Sequence, residues 1–252
     1  MTSDRTLDKG IQKACVWVAV VAMVVIGVGL VFALVIPPPR PSDGPAQVAA
    51  RYLHHRDRIR VGSFLVVSAA GFLVPFVAAI GWQMRRMVGN AAGLLAVAQV
   101  AAGTLGCFMF IVGPIFWMGA TFRPADHSGD VLIALHDTGN ITFFGVGTWA
   151  MVQTLVLSAG ILTDRGARPV FPRWFGYLGV WVAVLFIPAP LDMFFKTGPL
   201  AYNGAFVFYI PVVAFFAWFI AAIVLTLRAI DDEHAGPIAV TVGATEPVAA
   251  LA

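Results

Sequence analysis

The chain has 252 residues, of which 60% are hydrophobic and only 12% charged, so it lacks the polar surface that a soluble domain needs. Its formal charge of +3 would suit a nucleic-acid binder, but the apolar residues fall in long blocks, and basic residues flanking membrane spans account for the charge. The two cysteines, Cys15 and Cys107, sit far apart in apolar runs, which excludes a disulfide framework and a cysteine-built metal site.

Residues 1–13 are polar and carry Arg5, Lys9 and Lys13, whereas residues 14–36 carry no charge. A helix of about 23 residues reaches about 35 Å and crosses a hydrocarbon core. The apolar part of a signal peptide is only about 7–15 residues long, so this run reads as an uncleaved first span, stopped by Pro37, Pro38 and Pro39. Residues 40–60 hold Arg40, Arg51, Arg56, Arg58 and Arg60. Ser42 or Asp43 ahead of Pro45 predicts a helix start. Val48, Tyr52 and Ile59 give that helix an apolar side, as in an interfacial helix running into the second span. His54 and His55 are adjacent and point to different sides of such a helix.

The second span is read over residues 61–84, kinked by Gly71 and Pro75 and closed by Arg85 and Arg86. The third covers residues 91–118. Its Ala98, Ala102 and Gly106 form a small-residue face that allows close helix approach, and Pro114 bends its end. Gln99 and Thr104 are expected to hydrogen-bond between helices. Residues 119–140 contain Arg123, Asp126, His127, Asp130, His136 and Asp137 and read as a polar connector at a membrane surface. Asp137 is expected to cap the fourth span, residues 141–162, with Arg123 as its charge partner and Lys196 as a rival. Gln153 in that span is an expected partner for Gln99. The fifth span, residues 174–191, is unravelled at its end by Pro188 and Pro190, and Asp192, Lys196 and a turn at 197–199 follow. The sixth covers residues 205–227, with Pro211 in its first half. Residues 229–252 are expected to form a disordered tail.

No Asp, Glu, Lys, Arg or His falls inside these expected spans. Their absence argues against a proton-coupled pump and against a b-type haem, which needs histidines within helices. Asp126, His127, Asp130, His136 and Asp137 are suitable metal ligands by type, but their spacing matches no ligand motif. They read as a solvated loop with capping aspartates, and no metal or cofactor is expected. No phosphate-cradling loop, Gly-x-Ser-x-Gly elbow or His-Glu-x-x-His motif is present.

Phe122-Arg123-Pro124, the run at residues 172–177 and the run at residues 194–204 resemble a family of uncharacterised six-span bacterial integral membrane proteins, mainly actinobacterial. The resemblance covers most of residues 10–230. Relatives often have Asn where this chain has His136. That argues against a metal role for His136 and directs attention to Arg123, Asp137, Lys196 and Asn203 as candidate ligand-binding residues.

The sequence therefore predicts an all-α polytopic membrane bundle of six transmembrane helices over residues 14–228. A cytoplasmic segment (1–13) precedes it and a cytoplasmic tail (229–252) follows. Outside the arginine-rich first loop, nine Lys and Arg fall on the side of the termini and two on the other, which predicts both termini cytoplasmic in a bacterial plasma membrane. Three function classes fit: a protein that binds or transports a small apolar or amphipathic molecule from the outer face, an accessory subunit packed against a membrane partner, and a membrane enzyme using outer-face polar residues. The bilayer is the expected partner, and nucleic acid is not.

Overall fold

The computed structural model describes residues 2–89 and 91–235, with residues 2–7 described by backbone alone. Every regular element in that range is helical. The α-helices are α1 (Thr2–Phe32), α2 (Pro45–His54), α3 (Arg56–Ala70), α4 (Val74–Met84), α5 (Ala92–Cys107), α6 (Met109–Phe122), α7 (Gly129–Phe144), α8 (Thr148–Thr163), α9 (Arg173–Leu185) and α10 (Ile210–His234). They combine into six rods long and apolar enough to cross a membrane: Asp8–Phe32, Arg56–Met84, Ala92–Phe122, Gly129–Thr163, Arg173–Phe194 and Ala205–His234. The chain is an all-α, multi-pass integral membrane protein whose outward side chains meet lipid.

Only the first rod is uninterrupted. The second breaks at a 3-10 turn, Gly71–Leu73, next to Pro75, whose missing N–H cannot continue the ladder. The third breaks at Phe108, ahead of Pro114. The fourth breaks between Phe144 and Thr148. The fifth leaves α-geometry after Leu185 and ends in a 3-10 helix, Ala189–Phe194. The sixth opens with a π turn, Ala205–Tyr209, just before Pro211.

Small residues set the closest helix contacts. Helix α1 packs on α3, and a Cβ on Gly62 would lie 2.3 Å from the Ala33 backbone nitrogen and 2.4 Å from the Gly29 carbonyl oxygen. Helix α5 packs on α8, with the Trp149 ring lying where a Cβ on Gly106 would go. Ala102 is buried beside Gly106 and Ala98 is half-buried, so the small face of α5 is a packing face, with Gly103 and Gly106 at its closest points. Gln99 does not meet Gln153. Its amide is buried without a hydrogen-bond partner among the described residues, and Gln153 packs against Gly103 instead.

Both described ends of the chain lie at one end of the bundle, here the terminal end. Lys9 and Lys13 contact the Asp231 carboxylate at 2.7 and 2.8 Å. Gln83 donates to Gln12 at 2.7 Å and to Glu233 at 2.8 Å. Arg86 donates to the Ala229 carbonyl at 2.8 Å. Buried Asp164 accepts from the backbone N–H groups of Val88, Gly166 and Val170 at 3.0, 2.9 and 3.1 Å.

At the opposite end, the cap end, the arginines of the first loop serve helix ends. Arg60 and Arg56 donate to the Thr121 carbonyl at 2.8 and 3.3 Å, in the last turn of α6. Arg51 donates to the Leu34 carbonyl just past α1, and Arg58 lies over the Phe32 ring at 5.8 Å. A cation at a helix C-terminus meets orphan carbonyls and the negative end of the dipole.

Residues 119–140 are not a connector. Only residues 123–128 link α6 to α7, and the fourth rod begins at Gly129 rather than at residue 141. Likewise α10 runs through His234, beyond the expected start of the tail. Residues 236–252 of the expected tail lie outside the described residues.

Gly62→Ala is expected to force α1 and α3 apart and to lower the melting temperature of the purified protein in detergent, at the cost of about 1–3 kcal/mol typical of overpacking. Gly27→Ala, where a Cβ meets nothing within 4 Å, is the control and should melt like the wild type. Equal melting of all three proteins would disprove the close crossing.

Candidate functional site

The cap-end half of α7 carries most of the buried polar chemistry in this half of the bundle. Ser128 caps the helix, its Oγ accepting from the Val131 N–H at 3.4 Å. Helix α2 packs along α7 and buries Val48 and Tyr52, the apolar side that its sequence predicts. His136 is only 3% exposed. Its Nδ1 lies 3.0 Å from the Tyr52 hydroxyl and its Nε2 lies 3.1 Å from Asn140 Nδ2. Asn140 Nδ2 also donates to the His136 carbonyl at 2.9 Å. That carbonyl only accepts, so it fixes the amide with its NH2 toward the ring. Nε2 is then the acceptor, and Nδ1–H donates to Tyr52. His136 is held as a neutral imidazole with both nitrogens engaged.

Two polar atoms nearby are left over. Asn140 Oδ1 and the Tyr202 hydroxyl are buried without a hydrogen-bond partner among the described residues. Tyr202 stacks on Phe144, ring centroids 5.9 Å apart and planes 12° from parallel. His136, Asn140 and Phe144 follow at i, i+4 and i+8 and so share one face of α7. Burial pushes the Tyr52 and Tyr202 phenols above their usual range, so both keep their protons at neutral pH.

Helix α7 ends where Asp192 meets it. Pro188 and Pro190 do end α9, as expected, but the chain then turns inward. The 3-10 helix Ala189–Phe194 folds against α7 and buries Asp192 to 3% exposure. The carboxylate fills the space beside Gly145, where a Cβ would lie 2.3 Å from its Oδ1. Neither carboxylate oxygen has a hydrogen-bond partner among the described residues. The expectation that no ionisable group enters a span is thus corrected: His136 and Asp192 both lie in membrane-crossing rods.

Beside this break is a cavity of about 70 Å³ lined by Met109, Phe144, Gly147, Phe186, Val207 and Phe208 among others. A second cavity of about 30 Å³ lies behind it and shares Trp149 and Phe215 as a wall. Gln153 lines the second cavity.

The residues singled out by sequence fall around the cap end without forming one cluster. Arg123 is exposed, its guanidinium 5.4 Å over the Phe122 ring, and it makes no ion pair with Asp137. Asp137 is half-buried in the third turn of α7, within the field of exposed Lys196. It cannot cap a helix that starts eight residues earlier, because the N–H groups around it are already used in the ladder. Asn203 is half-buried in the turn before the sixth rod. Asp126 and Asp130 are exposed and His127 is half-buried. Among the described residues no three His, Cys, Asp or Glu side chains converge. Sequence reasoning missed Tyr52, Asn140, Asp192 and Tyr202. The i, i+4, i+8 spacing of His136, Asn140 and Phe144 was the available signal for a helix face. No protein-family model, curated protein or solved structure matches this chain.

Tyr52→Phe removes the acceptor of the His136 Nδ1–H and should cost about 1–3 kcal/mol, as for a stranded buried donor, read as a lower melting temperature. Asp137→Asn and Asp137→Ala should each stay within about 0.5 kcal/mol of wild type, as at ordinary half-exposed sites. A larger loss in either Asp137 variant than in Tyr52→Phe would reverse the ranking of these two residues.

Proposed function

We propose that the protein binds a small amphipathic molecule in the aromatic cavity beside the α7–α8 break and admits it from the cap end. One observation carries this reading. Spans three to six all lose α-geometry near this one cavity, which is lined by Met109 from the third, Phe144 and Gly147 from the fourth, Phe186 from the fifth, and Val207 and Phe208 from the sixth. Irregular backbone at membrane depth is costly unless it is buried in protein or lines a cavity. Broken helices around a site near the bilayer midplane are the recurring design of small-molecule carriers. The cavity walls are apolar, and two polar atoms without a partner among the described residues belong to close neighbours of its Phe144 wall: the hydroxyl of Tyr202, which stacks on Phe144, and the amide oxygen of Asn140, one helical turn before it. An apolar body with a polar end suits that gradient.

The cap end is taken as the outer face. The nine-to-two distribution of Lys and Arg outside the first loop supports cytoplasmic termini in a bacterial plasma membrane. The arginines of the first loop oppose this count less than their number suggests, because three of them bond helix-end carbonyls. Membership in the six-span bacterial family that the chain resembles is part of the same proposal, and Arg123, Asp137, Lys196 and Asn203 then border the entrance.

The protein purified from its native membrane should release a small molecule on solvent extraction, in near-stoichiometric amount by mass spectrometry. Val212→Phe, which fills the cavity from its wall, should lose that molecule while melting at or above the wild-type temperature. Retention of the molecule by this variant, or its absence from the wild type, would refute the proposal.

A further inference from the structure

Asp192 is unusual among the acidic groups of this chain. Asp164 accepts three backbone N–H bonds, and Asp231 meets two lysines. Asp192 is as buried as Asp164, yet among the described residues neither of its oxygens accepts a well-formed hydrogen bond, only the backbone N–H of the adjacent Met193 bears on the carboxylate, and no Lys, Arg or His is paired with it. A carboxyl group left unpaired inside a membrane protein is expensive to ionise, and intramembrane groups of this kind mark sites where a counter-charge can be supplied.

Its surroundings say what kind of counter-charge. The carboxylate lies against Gly145, the residue that ends α7. The last carbonyls of a helix are unpaired and form the negative end of its dipole, so carboxylate and helix end both call for a positive guest. Gly145 joins Phe144 to the 146–147 turn, and Phe144 and Gly147 line the cavity. Phe186, Phe208, Phe215 and Trp149 line it as well. Aromatic faces attract a cation and accept the alkyl groups around it. The cavity holds about 70 Å³, about half of the roughly 150 Å³ of a cavity that binds benzene, so the guest's buried part is only a few heavy atoms.

We infer that the ligand of the proposed cavity is a small organic cation, an alkylammonium whose positive nitrogen pairs with Asp192 while its carbon groups rest on the aromatic wall. This rests on the reading of the cavity as a binding site and adds the ligand's charge.

The test uses the full chain in detergent and two probes of nearly equal shape, isopropylammonium chloride and 2-propanol, with sodium chloride at matched ionic strength. Isopropylammonium should raise the melting temperature saturably, and 2-propanol and sodium chloride should not. Asp192→Asn should lose at least tenfold in apparent affinity for isopropylammonium. It should also melt no lower than the wild type, because it removes an unpaired buried carboxyl and keeps its shape. Saturation-transfer NMR on the amine methyl groups gives a second reading of binding that does not depend on stability. Equal stabilisation by both probes would overturn the ammonium assignment and leave the cavity proposal standing. Stabilisation by sodium chloride alone would overturn it in favour of an inorganic cation. Undiminished binding of the amine by Asp192→Asn would overturn the role of Asp192. The solvent extraction of the native protein fails or succeeds independently of these outcomes.

Discussion

A bilayer offers no water to a helix that stops early. Every backbone N–H and C=O released by a break must find a partner inside the protein or face a polar space that the protein maintains. This constraint organises the molecule. Breaks scattered through the bundle would each need separate compensation. Here the breaks of four spans are gathered, so one region of irregular backbone serves them all, and side chains too large for a regular interface fill it. Trp149, Phe186 and Phe215 pack edge to face there, with centroids 6.4–6.5 Å apart. Such a region packs less completely than the Gly62 crossing, and its two cavities are the result.

The same constraint explains the chemistry of the first loop. Helices α1 and α6 both end at the cap end, and each leaves carbonyls unpaired there. Arg51, Arg56 and Arg60 reach those carbonyls across a helix junction, and a guanidinium carries enough donors to serve more than one of them. The arginine-rich segment is thus a set of capping groups on one short stretch. Helix α2 presents Arg51 toward α1 and the neighbouring Tyr52 toward α7, so it clamps the first and fourth spans together.

Hydropathy makes the six spans legible in the sequence, because runs such as residues 14–36 have no other use. The interruptions at Gly71 and Pro75, at Pro188 and Pro190, and near Pro211 are legible too, since a proline removes a donor and stiffens the chain while a glycine loosens it. What hydropathy hides is any helix whose polar side chains are paired within the bundle. His136, Asp137, Thr138 and Asn140 lower the average over residues 129–140, and the segment reads as a loop. Its His136 and Asn140 face Tyr52 and the helix's own backbone, so their polarity is paid for internally. Asp192 was misplaced for a related reason. Two prolines end a helix, but they do not say whether the chain leaves the membrane or folds back. Gly145 decides that, by leaving room for a carboxylate that no sequence separation of 47 residues reveals. The resemblance-derived candidates Arg123, Asp137, Lys196 and Asn203 are visible because they are charged or polar near span ends, which is also why all four are half-buried or exposed.

The two ends of the bundle differ in what must break for them to open. At the terminal end, Asp164 holds three backbone donors, Gln83 bridges Gln12 and Glu233, and Arg86 grips α10. Separating these helices strands several buried groups at once. At the cap end, α2 is a ten-residue helix held on α7 by the burial of Val48 and Tyr52 and by one bond to His136. Elements with few buried apolar contacts open at the lowest cost. If α2 tilts away, Tyr52 and Arg51 reach water, which replaces the bonds they lose, while the fourth span keeps its own ladder. Opening at the cap end is therefore cheaper than opening at the terminal end, and it uncovers first the face of α7 that carries His136 and Asn140.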